Sequence, residues 1–432
     1  MNRFNRTMLA AITLALLSLA TLGASEEGAK NLIKRGDNLF RSGRFAEAEK
    51  VYRAAVADDD AGSHAVLRLG EIALLGNRFA EAERHLQRAV KLRPDDKRPK
   101  SLLAEVYYRQ DDFRQAAPLL REVGSEAVAA KLASFEELTP YDIVGDATTT
   151  RLKFVRTDPL PVVRLSVNGS EDVFFIIDTG ASEVYLDPDF ADRVGAVRFG
   201  ATQGSFAGGK PAAVQHARID SLRLGDVDVR NVPVVLLPTG PFAMATGGLR
   251  IEGVIGTVLF YHFAATLDYP KGELVLRRRT AKVREELDKQ AKTPGTQIVP
   301  FWMAKRHFMV AWGEVNNRER CLMFVDTGLA GGGFLCPEST LKAAAIDISG
   351  LPSFEGMGGG GPIKITPFKV DTLSLGDVVQ RNVMGSFGGF PPSTEYDDTG
   401  FRIGGIISHT FFRPFALTFD FDRMQLYLSP GQ

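Results

Sequence analysis

Phe174-Phe175-Ile176-Ile177-Asp178-Thr179-Gly180-Ala181-Ser182 decides how the C-terminal two thirds of this 432-residue chain folds. It has an echo 148 residues later, Leu322-Met323-Phe324-Val325-Asp326-Thr327-Gly328. Each apolar run predicts a buried strand that leads straight into an aspartate. Burying a lone carboxylate is costly, so a site must need it. The glycine two positions on lets the backbone turn sharply. Two such carboxylates, one from each half of a duplicated unit, can share a proton and activate a water.

The duplication extends well beyond the triplets. Pro161–Val167 runs to an Asn168-Gly169 turn and on to Asp178, as His307–Trp312 runs through Asn316-Asn317 to Asp326. Asn-Gly between apolar runs predicts a tight hairpin. Ile219-Asp220-Ser221-Leu222-Arg223-Leu224-Gly225-Asp226 parallels Val370-Asp371-Thr372-Leu373-Ser374-Leu375-Gly376-Asp377. Gly253-Val254-Ile255-Gly256 parallels Gly405-Ile406-Ile407-Ser408, and Ala265–Asp268 parallels Leu417–Asp420. From residue 151 the pattern is Val/Leu/Phe-rich, with turn residues between short runs, which predicts strands.

This duplicated half resembles the aspartic-protease lobe shared by pepsin-like and retropepsin-like enzymes, over nearly all of 151–432. Asp178-Thr179-Gly180-Ala181-Ser182 is closest to the retropepsin form. The resemblance implies a bilobal, mainly-β acid-protease barrel fold, with Asp178 and Asp326 catalytic across a cleft. Thr179, Gly180, Thr327 and Gly328 would support the active-site loops, the threonines bonding across them. Gly256 and Ser408 fall in the segments that brace those loops. Gly208, Gly209, Gly358 and Gly359 lie where flaps would close on a peptide, or are plain hairpin tips. Both aspartates sit in one chain, so a monomer suffices. Pepsin-type enzymes follow the triplet with Ser or Thr; here Ala181 and Leu329 stand there, so a milder pH optimum than pepsin's is expected.

Upstream, Arg44-Phe45-Ala46-Glu47-Ala48-Glu49 recurs as Arg78-Phe79-Ala80-Glu81-Ala82-Glu83, with a weaker copy at Asp112-Phe113-Arg114-Gln115-Ala116-Ala117. Phe45, Phe79 and Phe113 are spaced by 34 residues. That period resembles the tetratricopeptide repeat, a helix-turn-helix unit. It implies an all-α array over 29–124 whose concave face takes a peptide or partner protein, or which serves as a spacer. The expected organisation is a signal peptide at 1–24, the array at 29–124, a capping helix and linker at 125–150, a first lobe at 151–280, a linker at 281–298 and a second lobe at 299–432. The capping helix is expected from about Glu126 to Leu138.

Arg3 and Arg6 precede an apolar stretch from Met8 to about Gly23 that ends in small residues. This reads as a secretory signal, with an uncleaved membrane anchor as the alternative. In a Gram-negative bacterium the destination would be the periplasm. Cys321 and Cys336, the two cysteines, flank the second triplet and read equally as a disulfide or as buried free thiols. Lys plus Arg equals Asp plus Glu, 52 each, and no basic stripe suggests nucleic acid. Gly356–Gly361 fits Gly-x-Gly-x-x-Gly, but Pro362 follows where a dinucleotide site needs a helix. The histidines are scattered, and neither a metal nor a cofactor is expected. Asp268 and Asp420 also end apolar runs but lack Thr-Gly and read as turn residues. The function expected is an exported aspartic endopeptidase whose repeats recruit substrate or partner. The alternative is a non-catalytic peptide-binding scaffold.

Overall fold

The computed structural model describes residues 28–56, 62–205, 211–358 and 361–431. The segment expected to be a signal peptide lies outside them. Among the described residues no helix is long and apolar enough to cross a membrane.

Helices occupy 28–41, Phe45–Ala55, Gly62–Leu75, Phe79–Leu92, Lys97–Tyr108, Phe113–Glu122 and Glu126–Ala133. The second helix of each repeat buries one stripe: Phe45, Ala48, Tyr52 and Ala55; then Ala82, Leu86 and Ala89; then Phe113, Ala116, Ala117 and Leu120. Such spacing places the buried residues on one helical face. The first helices answer with small residues at matched positions. A Cβ on Gly36 would come within 2.6 Å of the Tyr52 ring, and one on Gly70 within 2.7 Å of Leu86 Cγ. The turns are matched too. Gly43, Asn77 and Asp111 all have positive φ, at 78°, 52° and 59°. Glycine, Asn and Asp tolerate that conformation best.

The chain divides into two compact units. One takes the residues through Leu74 and Arg78–Leu103; the other takes Leu75–Asn77 and everything from Ala104 onward. The final helices, from Ala104, therefore belong with the β-region. The helix Glu126–Ala133 ends short of the expected Leu138. It packs on the hairpin Val197–Ser205/Pro211–Leu224, where the Arg218 guanidinium donates to Ser134 O at 2.9 Å and lies 5.6 Å from the Phe135 ring centroid.

Two eight-stranded sheets share the order of seven strands, while the eighth, Asp142–Val144 in one and Trp302–Ala304 in the other, joins a different neighbour. In the first, Val173–Ile177 pairs antiparallel with Val162–Val167 and parallel with Ile251–Ile255. In the second, Glu319–Val325 pairs antiparallel with Phe308–Val315 and parallel with Ile403–Ile407. The registers agree, with Ile177 opposite Ile255 and Val325 opposite Ile407. Asn168 and Asn316 both have positive φ in their hairpin turns. Each also lends its Oδ1 to the matched segment, Asn168 to the N–H groups of Asp220 and Ser221, Asn316 to those of Asp371 and Thr372. The residues that repeat in sequence thus repeat in bonding.

A six-stranded sheet joins the two halves, in the order Gln297–Pro300, Gln425–Pro430, Phe415–Asp420, Phe263–Asp268, Glu273–Arg278, Thr149–Lys153. At its centre Thr266 faces its duplicate Thr418, hydroxyl to hydroxyl at 2.8 Å. Asp268 and Asp420 end their strands by accepting N–H bonds from the turns that follow. The connection between lobes is the helix Ala281–Ala291, capped by Thr280, with Val283 and Leu287 buried against Ala264 and Tyr427.

Candidate active site

Asp178 and Asp326 each follow the last residue of a strand held in the middle of a sheet. Each N–H donates to the parallel neighbour, Asp178 to Ile255 O and Asp326 to Ile407 O, both at 3.0 Å. The backbone then turns at the glycine, whose N–H returns to its own aspartate: Gly180 to Asp178 Oδ1 and Gly328 to Asp326 Oδ1, both at 2.7 Å.

The two loops interlock. Thr179 N–H donates to Thr327 Oγ1, and Thr327 N–H donates to Thr179 Oγ1, both at 3.0 Å. The hydroxyls donate onward to the other lobe's strand, Thr179 to Val325 O at 3.0 Å and Thr327 to Ile177 O at 3.3 Å. Both threonines are wholly buried. The glycines matter for a second reason. A Cβ on Gly180 would lie 2.6 Å from the Asp326 carboxyl, and one on Gly328 would collide with that of Asp178. Each glycine therefore makes room for the other lobe's carboxylate.

Burial raises both carboxyl pKa values above the ordinary aspartate value. Repulsion from Asp178 adds to the rise at Asp326, which goes well above that value. Hydrogen bonds from Asp326 and from the Gly180 and Ala181 amides limit it at Asp178. Two facing carboxylates in such environments titrate as a pair rather than independently.

The bracing segments work differently in the two lobes. Thr257 N–H donates to Ala181 O at 2.9 Å, Val258 N–H to Ser182 O at 2.8 Å, and Thr257 Oγ1 to Thr179 O at 2.8 Å. Gly256 sits so close beneath that a Cβ would strike the carbonyls of Glu183 and Ala181. In the second lobe the loop Leu329–Gly333 leaves room for a side chain. Ser408 Oγ donates to Leu329 O at 3.3 Å and its N–H to Gly333 O at 3.0 Å. Ser408 thus braces its loop through both main chain and side chain.

The cysteines take one of the two forms that the sequence allowed. Cys321 and Cys336 are both buried free thiols, not a disulfide. The strand of Cys321 and the strand that ends at Leu335 both pair with Ile403–Ile407, which lies between them. Strands one removed from each other are about 9.5 Å apart, beyond the roughly 7 Å Cα reach of a disulfide. The flap glycines Gly208, Gly209 and Gly359 lie outside the described residues. Gly358 ends a strand opposite Gly361, so the segments leading to both tips are antiparallel hairpins.

Glu183 was not singled out in the sequence. It is 1% exposed and meets Lys131, Tyr108 and Arg306. Its signal was a lone charge between Ser182 and Val184 that the second copy lacks.

Residues 163–259, which include the first triplet and its brace, match the family model described as aspartyl protease. The chain carries an aspartyl protease domain. Residues 33–97 and 77–135 match two further models, each described as tetratricopeptide repeat. No curated protein matches the chain. The family match lies within the first lobe, and the strands of the second lobe repeat the order of those it spans.

Proposed function

We propose that this protein is an aspartic endopeptidase of the retropepsin-like kind, exported from the cytoplasm, whose helical repeats recruit a peptide or protein. The observation that carries the reading is the reciprocal Thr179–Thr327 bonding that sets two carboxylates against each other. The protonated member donates to the scissile carbonyl oxygen while the ionised member takes a proton from the attacking water. The resulting gem-diol then collapses: the newly protonated aspartic acid gives its proton to the leaving nitrogen, and the other aspartate takes one from a gem-diol hydroxyl. The C–N bond breaks, and the dyad again holds one proton. Lost Ser or Thr donors at Ala181 and Leu329 agree with carboxyls that titrate high. Export rests on the charged and apolar pattern of residues 1–24.

The test is a peptide-library cleavage profile of the intact protein beside Asp178→Asn and Asp326→Asn. Cleavage by the unaltered protein, reduced at least about 100-fold in each variant, is expected from the usual size of acid-base contributions. An unaltered protein that binds peptides and cleaves none would leave a scaffold as the better description.

A further inference from the structure

Glu183 stands five residues past Asp178, and everything it touches comes from elsewhere in the fold. Lys131 is wholly buried and its ammonium bonds Glu183 Oε2. The Tyr108 hydroxyl donates to Glu183 Oε1 at 2.8 Å. Arg306, from the first hairpin of the second lobe, reaches the same oxygen at 3.4 Å. Its guanidinium also lies 3.9 Å from the centroid of the Tyr108 ring and bonds Glu105 at 3.1 Å. Beside it, Arg109 donates to Met303 O at 3.1 Å and to Lys305 O. Three parts of the chain thus meet at one carboxylate: the closing helices of the repeat region, the catalytic loop and the second lobe.

Burial alone would raise the Glu183 pKa, but Lys131 and Arg306, with the hydrogen bonds, bring it down to about 2. The carboxylate therefore stays charged. Lys131 faces a single carboxylate, and burial pulls its pKa below the ordinary lysine value. Such buried pairs are weak sources of stability compared with apolar residues of the same volume. The duplication sharpens the point. The matching stretch of the second lobe is Gly331-Gly332-Gly333, without any charge. Both lobes meet these helices, but only the first lobe's catalytic loop supplies a carboxylate to them.

We propose that Glu183 is a positioning residue for the catalytic loop, held by Lys131 and Tyr108, so that the end of the helical repeat region is part of the active-site framework rather than a detachable recruiting module. This rests on the peptidase reading above. The loop is clamped on its main-chain side by Thr257 and Val258. On its side-chain side it is clamped by Lys131, Tyr108 and Arg306. Releasing the second clamp leaves a buried carboxylate short of partners, and it turns toward water with the loop attached. Displacing Asp178 by about 1 Å is enough to cost up to roughly 100-fold in turnover.

The experiment compares full-length Lys131→Met, Lys131→Arg and Tyr108→Phe with the unaltered protein. It measures kcat and KM per folded molecule and the amide hydrogen exchange of peptides covering 178–186. Lys131→Met should lower kcat about 10-fold or more with KM within about two-fold, and should speed exchange in that loop. Lys131→Arg should recover most of both. Tyr108→Phe removes one hydroxyl only and should shift both in the same direction by a smaller factor, which keeps the test open if Lys131→Met does not fold. Unchanged kcat and unchanged loop exchange in folded variants would overturn the proposal. If the unaltered protein cleaves no peptide, the peptidase reading fails, and loop exchange alone decides whether the anchor positions the loop.

Discussion

At the scale of single residues, Asp326 concentrates the tension in the site. Burial and the facing Asp178 both push its pKa up, so the folded protein holds a proton more tightly than the unfolded chain does. A carboxyl raised on folding favours the folded state at low pH, and that contribution is lost as pH rises through the folded-state value. Asp326→Asn removes the charge without changing the shape. It should therefore raise the melting temperature at pH 7, by an amount that shrinks toward zero below the ordinary aspartate value, about 3.9. Thermal melts across pH 3–8 decide this, and a variant less stable than the parent at pH 7 would contradict it. The same upward shifts place the singly protonated dyad above the range of two free aspartates. The kcat/KM profile should then peak above about pH 4, and a maximum below about pH 3 would rule this out.

At the scale of elements, the two bracing segments are duplicates that have parted in detail. Gly256 lies against the main chain of residues 181–183, where a side chain has no room. Ser408 carries a side chain at the matching position, and its hydroxyl bonds Leu329 O. Gly256→Ser should therefore cost about 1–3 kcal/mol, as overpacking against backbone does. Ser408→Gly should cost less, toward the lower end of about 0.5–1.5 kcal/mol, because its bond at 3.3 Å is long. Denaturant melts of the pair measure the asymmetry, and equal losses would contradict it. These segments also show what the sequence could carry. Order-preserving likeness between copies exposed the triplets, the Asn168 and Asn316 turns and the strands around them, because each is set by local residues. How Ser408 braces its lobe depends on the loop opposite, which no pattern within 405–408 records. Cys321 and Cys336 likewise looked pairable by spacing, until strand order placed Ile403–Ile407 between them. Glu183 escaped notice because its partners lie 52, 75 and 123 residues away.

At the scale of the whole molecule, the six-stranded sheet makes the two lobes one body. Thr266 and Thr418 meet where the copies meet, with Gln290 of the connecting helix donating to Thr418 at 3.1 Å. Both aspartates and both gripping threonines come from a single chain, so the dyad needs no second copy. A site assembled from two identical chains would lose specific activity on dilution as the chains part. It would also regain some activity when two differently disabled chains are mixed. Neither should happen here. Specific activity should stay constant from micromolar to nanomolar protein. A mixture of Asp178→Asn and Asp326→Asn should remain as inactive as either alone, since every chain then carries one intact and one disabled aspartate facing each other. Recovery of activity in the mixture would mean that lobes exchange between chains. That in turn would require both the Thr266–Thr418 seam and the Thr179–Thr327 bonds to open, because an exchanged lobe would have to break and remake them.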